Sequence, residues 1–367
     1  MITNGRALGR IEPTEDICDQ PITIHCLNPL QDPRWSKFSW QNPNASVFHT
    51  VGWLRALRQT YGFEPIAFTT SGQAEEIKNA LLFCSVRSWL TGSRLVSLPF
   101  SDHCEPLVEN WEELKKLSRY VENMGIQEGR KYVEMRPITP GLESIGGFQK
   151  SSAFYLHRLD LRATLDALFH NFHKDCVQRK IRRAEREGLT YERGRTRSLV
   201  KIFYDLVKRT RQRHHVPPQP LQWFQNLIEC MGGNACIRIA FKAGQPAAGI
   251  LTLSHGKRVV YKYCGSDERL HKLGGVQMLL WRLIQESKEA GIEQLDFGRS
   301  DCNNEALLAF KDRWSAKRVS LAYWRSPGTA KYGLTDCWRI RLAKQLFARL
   351  PGGVLTLMGR FLYGHMD

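Results

Sequence analysis

No run of about 18 apolar residues occurs in this chain, so the sequence excludes a helix long enough to cross a bilayer. Met1 to Gln20 has no apolar segment of signal-peptide type, and a cytoplasmic location is the expectation. The ten cysteines fall singly with no Cys-x-x-Cys pair, which excludes a zinc ribbon and argues for reduced core thiols. His170, His173 and Cys176 share spacing on one helix side, but no further ligand pair joins them and no metal is expected. Acid is scarce too: 36 Asp and Glu stand against 53 Lys and Arg, a net charge of +17. An apolar share of 42% with 10% aromatics excludes disorder and fits a globular chain of about two domains.

The positive excess is concentrated. Between Lys174 and Arg213 lie fourteen Lys or Arg and five Asp or Glu, so about half of the surplus sits in a ninth of the chain. Such a block attracts polyanions: a phosphorylated substrate, nucleic acid, or an anionic membrane face. DNA is set aside, because neither a recognition-helix motif nor zinc spacing accompanies the charge.

Five prolines in residues 1–45 predict a loosely ordered lead with one strand near Ile22 to Cys26. Short apolar runs divided by Gly and Ser then alternate with helical spacings, and the Pro-Gly-Gly segment at 137–147 predicts a break. The expected division is a lead at 1–45, a first domain at 46–150, a second at 151–325 and a basic amphipathic tail at 326–367. Helices are predicted at 163–187, 198–213 and 220–231, with strands near 236–242, 247–254, 258–264 and 317–324. The fold class is α/β, with mixed sheets flanked by helices. In the tail, Trp338, Leu342, Leu346 and Leu350 recur at four-residue spacing ahead of an apolar helix from Val354 to Tyr363, as a packed tail or an interfacial anchor would.

The stretch from Gly291 to Trp314 is the densest in chemistry. Helical spacing of Met278, Leu279, Leu283 and Ile284 leads to Gly291 as a stop, then a short strand with Leu295 and Phe297, a polar loop with Gly298, Arg299 and Asp301, and a helix with Phe310 and Lys311. Polar residues gathered at a strand end mark a candidate site. Asp296, Arg299, Asp301 and Lys311 offer charge of both signs there.

The order Tyr-Lys-Tyr-Cys-Gly-Ser-Asp (261–267), Trp281, Asp-Phe-Gly-Arg-Ser (296–300) and Phe-Lys-x-x-Trp (310–314) resembles the FemAB-like, BioF2-like branch of the GNAT acetyltransferase superfamily. Phe48 to Leu57 with Tyr61 to Pro65, and the basic run Arg179 to Leu189, resemble its opening and central helix. The resemblance implies tandem GNAT-like domains and an N-acyltransferase. Its acceptor would be an amine-bearing cell-envelope precursor or a polysaccharide-related molecule, and its donor acyl-CoA or aminoacyl-tRNA. No permanently bound cofactor is implied. The resemblance also makes Lys311 a cation near the reacting carbonyl, whose replacement by Met is expected to slow turnover without unfolding the chain. Asp296 would accept a proton or orient Arg299.

The phosphate loop of that superfamily would fall at His271 to Val276. Here Gly274 and Gly275 open a helix and leave an anion site conceivable, while His271 and Val276 depart from the pattern and weigh against CoA. On the basic helix, Arg182, Arg183 and Arg186 share one face and are candidates for phosphate contact with substrate, tRNA or lipid. Asp102 and His103, in a polar loop between apolar runs, are expected to line the acceptor cleft, and Tyr263 to contact substrate from a pocket shared with Asp296 and Lys311. The rival reading is a non-catalytic protein of the same fold, holding an anionic partner or resting peripherally on an anionic membrane.

Overall fold

The computed structural model describes residues 23–89, 91–328 and 352–365. The apolar runs form a single described sheet of twelve strands. In the first half these are β1 (His25–Leu27), β2 (Glu64–Thr69), β3 (Leu81–Ser88), β4 (Gly92–Val96) and β5 (Val133–Met135). In the second they are β6 (Gln149–Asp160), β7 (Thr190–Gly194), β8 (Ala235–Lys242), β9 (Gln245–His255), β10 (Arg258–Ser266), β11 (Gln294–Asp301) and β12 (Lys317–Ser326). Their order is β1-β2-β3-β4-β5-β12-β6-β11-β10-β9-β8-β7. Among the described strand pairs only β4–β5 and β10–β11 run parallel. The chain is therefore mixed α/β, as its pattern predicts.

The middle of the sheet is crossed over. β6, which follows β5, pairs with β11, whereas β12, which follows β11, pairs with β5. The two then run antiparallel to each other from Lys317 opposite Arg158 to Arg325 opposite Gln149.

Helices α1 (Arg34–Gln41), α2 (Val51–Tyr61), α3 (Trp111–Gln127), α4 (Leu165–Asn171), α5 (Arg179–Arg186), α6 (Arg197–Arg213), α7 (Leu221–Met231), α8 (Gly275–Glu289), α9 (Glu305–Asp312) and α10 (Gly352–Leu362) cover it. Each longer helix buries the stripe its spacing marks. One core joins Trp53 and Leu57 of α2 to Phe203 of α6 and to Trp223 and Phe224 of α7, so both halves share it. A second gathers Leu279, Leu283 and Ile284 of α8 with Leu295, Phe297 and Trp314, and a third packs Leu117 and Val121 of α3 on Phe68 and Phe83. Thr50 caps α2 by accepting the Trp53 amide, and Gly62, at φ 71°, ends it in a left-handed turn.

Three local expectations change, and one falls outside the described residues. The lead contains α1, which starts directly after Pro33 and buries Trp35 and Phe38; Pro is favoured at a helix start because its missing N–H is not needed there. The helix expected at 163–187 breaks at Phe172, whose backbone is extended. His173 then begins a π-helical turn (Lys174–Gln178) by accepting the amides of Asp175 and Cys176 at 3.2 and 3.3 Å. The predicted polar loop at 298–301 is instead strand, since β11 continues to Asp301 through a bulge between Asp296 and Arg299. The stretch from Trp338 to Leu350 lies outside the described residues, while α10 packs on the body through buried Leu355.

Candidate active site

β10 and β11 hold parallel register only from Arg258–Val260 against Gln294–Asp296. Beyond that, β10 slips against β9 between Tyr261 and Tyr263, and β11 bulges against β6 between Asp296 and Arg299. The polar side chains of the motif region collect around these irregularities. Gly298 makes the bulge: its φ is 71°, and a Cβ there would fall 3.2 Å from the Asp102 carboxylate.

Asp102 and His103 arrive from the first half, on the loop after β4. Leu98 and Phe100 in that loop take φ of 65° and 61°, a conformation unfavourable for bulky side chains and found where surrounding structure dictates the backbone. The Asp102 carboxylate accepts the Lys262 ammonium at 3.0 Å, with the Lys262 side chain only 6% exposed. The Tyr323 hydroxyl donates to the Asp102 carbonyl at 2.8 Å and accepts from Arg299 Nη1 at 2.7 Å. Arg299 also lies 4.4 Å above the Phe154 ring. Burial opposes ionisation of Asp102, but Lys262 and Arg299 outweigh it and hold the carboxyl below its ordinary value. Burial lowers Lys262 as well, and Asp102 only partly restores it. The two shifts pull against each other, since one favours the pair and one its discharge. The 3.0 Å contact favours the ionised pair.

Asp296 behaves differently. Burial pushes its carboxyl up to about 6, against the pull of Arg158, whose Nε lies 3.6 Å away, and of the Gly298 amide at 2.7 Å. His103 Nε2 stands 3.9 Å from the same carboxylate, and burial drops the imidazole to about 3, so the ring is neutral. Its Nδ1 has no partner among the described residues. Burial also brings Lys311 down to about 8, although Asp102 and Asp296 favour its charge. Its ammonium donates to the carbonyls of Gly298 at 2.7 Å and Arg299 at 3.0 Å, so Lys311 ties the bulge from behind.

A cleft of about 730 Å³ opens beside this cluster, between α6, α8, α9 and β10. Lys262 and Tyr263 line it, as do Lys180, Arg211, Arg213 and Arg313. The Tyr263 hydroxyl accepts the Trp223 indole N–H at 2.9 Å. At the start of α8, Val276 and Gln277 face the cleft, whereas Gly274 packs so closely on α5 that a Cβ would fall 2.4 Å from the Lys180 carbonyl oxygen. Gly275 touches Ala248 and Ala240 in the same way. These glycines thus bring α8 against its neighbours, and the amides that follow them are the ones available to an anion.

The structure brings together Asp102, His103, Asp296, Arg299 and Lys311, read from sequence, and sets Tyr263, Gly274 and Gly275 beside the cleft. It leaves Asp301 exposed at the end of β11, and Arg182, Arg183 and Arg186 exposed on α5. Lys180 of the preceding helical turn faces the cleft instead. Lys262 was not singled out from sequence. The signal was there, a lone cation in the apolar run Val259 to Cys264. Among the described residues no group of three or more His, Cys, Asp or Glu is placed to hold a metal ion.

The family model described as an acetyltransferase (GNAT) domain matches residues 172–312. No curated protein matches the chain. Among solved structures, FemX is similar at 15% identity and a TM-score of 0.64, covering 81% of this chain and 96% of its own. The C-terminal domain of a putative lysylphosphatidylglycerol synthetase from Agrobacterium fabrum is similar at 15% identity and 0.54, covering 86% and 96%. A tandem GNAT protein from the clavulanic acid biosynthesis pathway is similar at 10% identity and 0.53, covering 84% and 100%. At these identities the likeness is one of fold.

Proposed function

We propose that this chain, which shares its fold with a tandem GNAT protein and whose residues 172–312 match the acetyltransferase (GNAT) domain model, transfers an acyl or aminoacyl group to an amine on a cell-envelope or polysaccharide-related acceptor. The observation that carries this reading is the Asp102–Lys262 pair, buried beside a cleft lined by Lys180, Arg211, Arg213 and Arg313. As the amine nitrogen bonds to the acyl carbon, Asp102 accepts the amine proton, and Lys262 donates a hydrogen bond to the oxyanion. Collapse breaks the bond to the leaving thiol or hydroxyl, which takes a proton from Lys262, and Asp102 returns one to Lys262. The pair thus carries one proton from nucleophile to leaving group in a site shielded from water.

The cations suit a donor bearing phosphates, and the start of α8 adds unbonded amides and the positive end of its dipole. Coenzyme A and the acceptor end of aminoacyl-tRNA share that chemistry. An envelope acceptor draws support from the similarity to FemX and to a lysylphosphatidylglycerol synthetase domain. Lys311, Asp296 and Arg299 act in this reading by fixing the bulge and loop that present Asp102.

Lys262→Met is expected to lower kcat/KM roughly a hundredfold with any productive donor, the scale of losing one oxyanion donor. Full activity in a folded Lys262→Met variant would remove the pair from the chemistry. Calorimetric titration with coenzyme A at about 0.15 M salt, where loose attraction is screened, separates the donors. Saturable one-to-one binding identifies acyl-CoA; its absence directs the search to aminoacyl-tRNA. If no donor is turned over, the non-catalytic reading replaces this one.

A further inference from the structure

Helix α10 is pinned to the body on one side and bare on the other. Leu355 is buried, Gly359 lies so near Pro218 that a Cβ would fall 2.0 Å from its carbonyl oxygen, and the Tyr363 hydroxyl donates to the Pro217 carbonyl at 3.1 Å. Tyr363 also packs edge-on against Phe100, ring centroids 5.8 Å apart. The other side presents Val354, Leu357 and Phe361, 41%, 67% and 56% exposed. Trp89, on the turn between β3 and β4, is 77% exposed and brings its ring within 6.3 Å of Phe361. Single exposed apolar side chains are ordinary on a protein surface; three on a helix held from behind, with a fourth on the turn beside it, form a patch.

Cations flank the patch. Residues 352–365 contain no Asp or Glu. Arg87 is exposed two residues before Trp89, and exposed Lys131 reaches the same turn, its ammonium 3.4 Å from the Thr91 carbonyl. The Arg94 guanidinium donates to the His365 carbonyl at 2.9 Å and fastens the turn to the end of α10. Aromatic and aliphatic side chains beside cations match the layered chemistry of an anionic bilayer surface, apolar below and phosphate above. The patch also neighbours the cleft. Phe100 touches both Tyr363 and Trp223, and Trp223 holds the cleft residue Tyr263.

We propose that Trp89, Val354, Leu357 and Phe361 are a docking face for an anionic bilayer, entering its headgroup boundary with Arg87 and Lys131 over the lipid phosphates. Docking follows from the surface alone; the corollary that the acceptor amine is membrane-borne rests on the acyl-transfer reading. The test is sedimentation of the full chain with vesicles of phosphatidylglycerol and phosphatidylcholine, and with phosphatidylcholine alone. The chain is expected to pellet with the anionic vesicles, and the combined variant Trp89→Ser, Leu357→Ser, Phe361→Ser to bind roughly tenfold more weakly, since affinity scales with the apolar area inserted. These side chains project into solvent, so circular dichroism should report an unchanged fold. Lys262→Met should pellet like the parent, and if it does while no donor is turned over, docking stands and the catalytic reading falls. A parent chain that stays in solution, or a variant that pellets undiminished, overturns the proposal. Self-association without vesicles that the combined variant abolishes would assign the face to a second copy and overturn it too.

Discussion

The two parallel strand pairs of this sheet, β4–β5 and β10–β11, begin alike and end differently. Each is in register for two or three residues and then diverges. In the first half the divergence is closed: the Ser97 amide donates to the Glu134 carbonyl at 2.8 Å, the Arg136 amide donates to Ser97 Oγ at 2.8 Å, and buried Glu134 is clamped by Arg136 at 2.7 Å and Arg325 at 2.6 Å. In the second half the corresponding space holds Lys262 and the Gly298 bulge beside an open cleft. One architecture therefore serves as a wall in one place and a pocket in the other. The wall is not idle, because the loop that closes it carries Asp102 and His103 across the seam.

If that contrast is sound, the two buried ion pairs should fail in different ways. Glu134→Gln should cost about 3 kcal/mol of stability by removing the buried countercharge that Arg136 and Arg325 share, with kcat/KM unchanged in the protein that remains folded. Lys262→Met should show the reverse emphasis. Denaturant titrations read beside steady-state kinetics would reveal whether the roles are mixed.

A smaller effect, on the order of 2–3 kcal/mol, separates Asp296 from Asp102. The folded-state value of Asp296 is raised from 3.8 to about 6. Between those values the folded chain binds more proton than the unfolded one, so this group lowers stability as pH rises from about 4 to 6, by about 1.4 kcal/mol for each pH unit. Urea unfolding across that window should show the loss in the parent and its absence in Asp296→Asn. Asp102, held low, contributes in the opposite sense.

Lys311→Met should slow turnover about tenfold and also cost about 2 kcal/mol, because the Gly298 and Arg299 carbonyls lose their donor. This revises the expectation from sequence that folding would be untouched. Gly298→Ala should cost about 1–2 kcal/mol through its left-handed backbone, with a fall in kcat from the crowding of Asp102. Matched kinetics and thermal melts for both variants would show whether the bulge is a support or a reacting surface.

Sequence periodicity located most of the elements because their burial is local and repetitive. Helices α6, α7 and α8 and strands β8, β9 and β10 lie within a few residues of their predicted spans. The short helix α1 escaped notice since proline was weighed as a breaker rather than as a start. The site was legible where charge interrupts a strand end, as at Asp296, Arg299 and Lys311. Lys262 was not, because a lysine inside a strand reads as an outward residue until its partner is known, and that partner is 160 positions away. The kinship of the two halves lies in strand geometry, which their side chains do not repeat.

The pairing of β12 with β5 has a consequence for how the polypeptide can be cut. The first half is completed by β12, which belongs to the second, so a fragment ending near residue 148 would leave the edge of β5 bare, and its complement would leave β12 without that neighbour. A single nick between β5 and β6, by contrast, severs no strand pairing. The two pieces would stay joined through β5–β12 and the shared core, which makes this protein a natural candidate for splitting into a pair that must meet before either can work.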